Sequence, residues 1–134
     1  MNTGFIEIIK EEGKSPSVEA WLVNNTVWLT KNELARLFNV YTQTIGNHLR
    51  SIFKSHLLWE NDVSYTYRYV DKGVEKQIVY YNLDVLIFLS YHIASLEAQI
   101  FRKFVSSVLR EHLQKDGIKK DAKLVWFFHH IGKN

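Results

Sequence analysis

The chain has 134 residues, 46% of them hydrophobic, with four Trp, seven Tyr and eight Phe: enough apolar side chain for one compact core and too much for a disordered chain. It contains no cysteine, which excludes disulfides, cysteine-based zinc sites and thiol nucleophiles and fits a reducing compartment. The formal net charge of +3 is unevenly spread. Residues 1–30 set Lys10 and Lys14 against Glu7, Glu11, Glu12 and Glu19, whereas residues 31–54 set Lys31, Arg36, Arg50 and Lys54 against Glu33 alone.

At the N-terminus, MNTGFIEIIK has no basic stretch ahead of an apolar run and does not read as a secretory signal. GFIEII (4–9) and SVEAWLVNNTVWLT (17–30) alternate as strands do, so an N-terminal β-hairpin is expected in 17–30, turning at Asn24-Asn25, with EEGKSPS separating it from the first strand. Thr30 followed by Glu33 is a capping box, and Leu34, Leu37 and Phe38 recur at helical spacing behind it. Asn39 is the expected stop, because asparagine tolerates the left-handed conformation of a sharp corner. Ile45, Leu49, Ile52 and Phe53 then place a second helix over about 42–54, with Gln43, Asn47, Arg50 and Lys54 on its other side.

Residues 63–81 read as a second hairpin around Asp71-Lys72-Gly73, with Arg68, Lys72 and Lys76 on or near its tip. Asn82 caps an apolar helix over about 83–93, and Ser95 caps a longer one over about 96–115, ending at Gly117. No apolar stretch approaches the roughly 20 residues of a membrane span. The expected organisation is one α+β domain over 1–117, a winged helix-turn-helix with an N-terminal β-hairpin and two C-terminal helices, followed by a basic and aromatic tail, 118–134.

A helix-turn-helix needs a small residue where its helices cross, a corner residue able to take positive φ, and an apolar anchor in the second helix; Ala35, Asn39 and Ile45 supply them. In that geometry Tyr41, Thr42, Gln43, Thr44, Asn47 and Arg50 face the major groove of DNA. Gln and Asn pair bidentately with adenine and Arg with guanine, so Thr42, Gln43, Thr44, Asn47 and Arg50 are the base-contact candidates. Lys31, Arg36, Lys54, Arg68 and Lys72 are the phosphate-contact candidates. Asp71 and Glu75 dilute the charge of the wing, which leaves its contact with DNA open. A blander reading keeps 30–54 as a helical hairpin whose polar side meets water.

Three ordered blocks, VWLTKNELARLFNVYTQTIGNHLRSIF, YYNLDVLIFLSYHIAS and FRKFVSSVLREHL, make residues 19–117 resemble the RhuM-like proteins. That bacterial family is named for a virulence-associated protein and is often encoded on mobile elements or near restriction-modification genes. The resemblance implies a DNA-binding protein with an N-terminal winged helix-turn-helix, its recognition helix on Gln43, Thr44, Ile45, Asn47 and His48, and Tyr80-Tyr81-Asn82-Leu83-Asp84 as a structural junction. Tyr41 stands where a small capping residue is usual, so Thr42 is expected to cap the second helix instead. Glu97 and Ala98 replace a commonly basic and small pair, which weakens the case for a second phosphate contact there, and relatives are longer, which leaves open whether this chain is a piece of such a protein or a short version without the family's C-terminal region.

Six histidines lack the spacing of a zinc site, and neither a glycine-rich phosphate loop nor a Ser-His-Asp set is recognisable, so no metal, cofactor, small-molecule substrate or catalysis is expected. Leu96, Ile100, Phe101, Phe104, Val105, Val108, Leu109, His112 and Leu113 form a wide apolar stripe that either completes the core or forms a homodimer seam. KLVWFFHHI (123–131) is expected to pack on its own domain or a twin. The sequence thus leads to a cytoplasmic, sequence-specific binder of double-stranded DNA, a transcriptional or mobile-element regulator. The alternative is a protein–protein interaction module on the same fold, using the second helix or the aromatic SYTYRY strand.

Overall fold

A computed structural model describes residues 2–116; the expected tail, 118–134, and the stop at Gly117 lie outside the described residues. The fold is mixed α and β. Strands β1 (Phe5–Ile9) and β2 (Ser17–Trp21) form an antiparallel N-terminal hairpin, with Glu7 opposite Glu19. Gly4 leads into β1 at φ 71°, where a Cβ would stand 2.5 Å from the Trp21 carbonyl oxygen, so the close approach of these backbones requires glycine.

The hairpin differs from the expected one. Its loop is residues 10–16, the stretch read as a separator, while Asn24 and Asn25, at φ 54° and 66°, turn the chain across only one pair, Val23 with Thr26. Beyond that turn Val27 and Leu29 are buried, and the Leu29 amide and carbonyl both bond to Tyr81, at 2.9 and 2.7 Å. The strand-like residues 27–29 are therefore claimed by a distant partner rather than by the strand preceding the turn.

Helix α1 (Lys31–Phe38) opens on the expected box: the Thr30 hydroxyl accepts from the Glu33 amide at 3.2 Å, and the Glu33 carboxylate accepts from the Thr30 amide at 3.0 Å. Asn39 ends it at φ 55°, ψ 51°, with the Val40 amide donating to the Ala35 carbonyl and the Asn39 amide to that of Arg36. This is a Schellman closure, and it sets the corner into α2 (Thr42–Lys54). Tyr41 occupies the cap position of α2 without a side-chain bond, so Thr42 is the first helical residue and not the cap. A phenol cannot fold back onto the amides of its own first turn.

Helix α2 closes in the same way, His56 taking φ 58° while Leu57 donates to the Ile52 carbonyl at 3.1 Å. A single turn, α3 (Glu60–Val63), follows and was not expected; four residues carry no periodicity. Strands β3 (Ser64–Asp71) and β4 (Val74–Tyr81) pair over their full length around Lys72 and Gly73, both at positive φ as a two-residue hairpin turn requires. Helix α4 (Leu83–Ser90) starts at Asn82, whose side chain accepts from the Val85 amide at 3.3 Å. It ends three residues earlier than expected, where Arg102 donates to the carbonyls of Ser90 and Ile93. Helix α5 (Leu96–Asp116) is capped by Ser95, which accepts from the Ala98 amide at 3.1 Å.

One core joins these elements. Phe38 of α1 meets Phe101 of α5 edge to face, ring centroids 5.9 Å apart, and Ile45, Leu49, Ile52, Val85, Leu86 and Leu89 fill the space between the helices. The wide stripe on α5 divides: Ile100 and Phe101 are buried, whereas Leu96 and Val108 remain 58% and 47% exposed. Glu97 is buried and bonded to Lys10, an internal tie between the hairpin end and α5. That hydrogen bond holds the Glu97 carboxyl below its usual range. No helix among the described residues is long and apolar enough to cross a membrane.

Candidate functional site

The candidate site is the outer side of α2. Ile45, Gly46, Leu49 and Ile52 face inward, so the helical period turns Gln43, Asn47, Arg50 and Lys54 outward, and all four are exposed. Thr42 is exposed on one flank, its hydroxyl donating to Asn32 Oδ1 at 3.0 Å and thereby tying α1 to the start of α2. Thr44 is half-buried on the other.

Of the residues the family resemblance puts on this helix, Ile45 is fully buried and serves as the anchor. His48 turns toward the segment that follows α4, its ring 6.1 Å from that of His92. Sequence reading missed a contact within the stripe: an Arg50 Nη donates to Asn47 Oδ1, so two of the base-contact candidates hold each other. Their i, i+3 spacing puts them on one face and permits the contact without requiring it.

The basic candidates fall into two groups. Lys31 brings its Nζ to 4.0 Å from the place a Cβ on Gly46 would occupy, which sets an ammonium over the first half of α2. Arg36 lines a hollow of about 360 Å³ with Asn32, Tyr41 and Thr42 at the corner, and Lys54 ends the exposed stripe. Arg68 and Lys72 lie apart on the β3–β4 hairpin, exposed, with Lys72 in the turn itself. Lys76 is partly neutralised there by Asp71 at 3.1 Å.

No acidic residue occurs between Glu33 and Glu60, so α2 and its corner present cations and hydrogen-bonding groups without a competing carboxylate. Such a surface suits an anionic partner. A different surface lies on β3–β4, where Tyr65, Tyr67 and Tyr69 share one face; Tyr65 meets Trp28 edge to face, and Tyr67 stacks on Tyr69 at 6.0 Å. Among the described residues no group of three His, Cys, Asp or Glu is placed to hold a metal ion.

Burial, and then the neighbouring His92, hold the His48 imidazole below its usual 6.5. The unfolded chain thus takes up this proton more readily than the folded one, so the contribution of neutral His48 is full above 6.5 and is lost as pH falls through the lowered folded value. Urea denaturation between about pH 7 and 5 is expected to show stability declining with acid, and His48→Gln to flatten that slope. An unchanged slope in the variant would assign the acid sensitivity to other groups.

Comparison with protein-family models, with curated proteins and with solved structures finds no match for this chain.

Proposed function

We propose that the chain is a winged helix-turn-helix protein that binds double-stranded DNA, a transcriptional or mobile-element regulator of the RhuM-like kind. The observation that carries the reading is the outer side of α2: an anchored helix behind a tight corner, with Gln43, Asn47 and Arg50 exposed in a row and no carboxylate among them. A helix of about 10–12 Å diameter fits the major groove, where these side-chain types read adenine and guanine. Lys31, Arg36 and Lys54 surround that row and would seat it on phosphates. The bridge between Leu29 and Tyr81 binds β3–β4 to the segment entering α1, and the succession of α1, α2, the single turn α3 and the β3–β4 hairpin supports a winged-helix reading.

The test is fluorescence anisotropy of a labelled duplex from the region upstream of the gene, beside a scrambled duplex. Arg50→Ala is expected to weaken binding by about 1–3 kcal/mol, roughly 5- to 150-fold, and to relax preference at one base pair. Equal affinity of variant and parent would remove Arg50 from the interface.

A second reading has its own observation, the tyrosine face of β3–β4, since exposed tyrosines are enriched in protein interfaces. On that reading the fold is a protein-interaction module without DNA binding.

A further inference from the structure

An apolar groove of about 430 Å³ runs between the N-terminal hairpin, α4 and the middle of α5. Ile6, Ala20 and Leu22 form one wall and Phe104, Val105 and Val108 the other, with no charged side chain among these six. Leu22 and Val108 are 44% and 47% exposed at its edges. We propose that this groove is the docking site of the chain's own residues 124–128, Leu-Val-Trp-Phe-Phe.

Three observations select that occupant. The five residues are uninterruptedly apolar, while Lys119, Lys120 and Lys123 before them and His129, His130 and Lys133 after them are groups that favour water, so the apolar length is bounded as a groove-filling segment should be. The reach is sufficient: from Asp116 back to Val108 is roughly 12 Å along the helix, and residues 117–124 extended span up to about 26 Å. A tethered segment also meets the groove at an effective concentration on the order of millimolar, far above that of a second copy in a micromolar solution. The inference holds whether or not α2 meets DNA.

The absence of cysteine makes the test direct, because every thiol in the full chain is then one that was introduced. Lys123→Cys, adjacent to the segment without altering it, is paired with Val108→Cys at the groove edge or with Arg110→Cys on another face of α5, and each pair is treated with a short bis-maleimide. The Val108 pair is expected to link within one chain at least about fivefold faster than the Arg110 pair, although Arg110 is closer in sequence, and at a rate independent of protein concentration. Adding Trp126→Asp and Phe127→Asp is expected to erase the preference and to raise binding of an apolar dye severalfold.

Equal rates for the two pairs, a preference that survives the aspartates, or no link at Val108 would overturn the proposal and leave the groove to a foreign partner. Links between chains that weaken on dilution would overturn it in favour of a second copy.

Discussion

Phe38→Ala is expected to destabilise the fold by about 3–5 kcal/mol. Phe38 has no exposed surface, ends α1 one residue before the Asn39 corner, and contacts Phe101 of α5 edge to face. Its removal opens a void that neither helix can close, because α1 is fixed at both ends, by the Thr30–Glu33 box and by the Schellman closure at Asn39. For a domain of this size the loss corresponds to a fall in Tm of roughly 10–20 °C, readable by circular dichroism. A cost under about 1 kcal/mol would mean that α1 does not rest on α5 in solution. The α2 surface would then lose the support on which its exposed row depends.

Raising salt from about 50 to 200 mM is expected to weaken duplex binding roughly 500-fold if all five cationic candidates meet phosphates. Each neutralised phosphate contributes about −0.9 to the slope of log affinity against log salt, so five give about −4.5, whereas Lys31, Arg36 and Lys54 alone give about −2.7. The slope therefore decides whether the β3–β4 hairpin touches the backbone. Replacing Arg68 and Lys72 with glutamine is expected to reduce it by about 1.8 in the first case and to leave it unchanged in the second. A slope near zero would abandon DNA for the tyrosine-face reading, in which contacts between aromatic surfaces are little affected by salt.

Features written within a few residues were legible in the sequence. The Thr30–Glu33 box and the caps at Asn82 and Ser95 depend on a side chain reaching its own next turn, the left-handed Asn39 on what asparagine's backbone tolerates, and the span of α2 on its apolar period. What escaped depends on partners far along the chain. Residues 27–29 resemble one strand of a local hairpin until Tyr81 is available to pair with Leu29. Lys10 and Glu97 give no sign in sequence of their bond, nor His48 and His92 of their proximity. The candidate site was legible as a row, because α2 has one period throughout. The bond between Asn47 and Arg50 was not, since i, i+3 neighbours share a face without being obliged to touch.

The two backbone hydrogen bonds between Leu29 and Tyr81 enclose a loop of roughly fifty residues. Within it lie two units that pair chain neighbours, α1 turning into α2 and β3 returning as β4. Such units form on the microsecond scale by themselves, whereas drawing the ends of the loop together requires them to be compact first. The closure is thus a late event in folding, and a destabilised Leu29–Tyr81 contact should accelerate unfolding while leaving the rate of collapse nearly untouched.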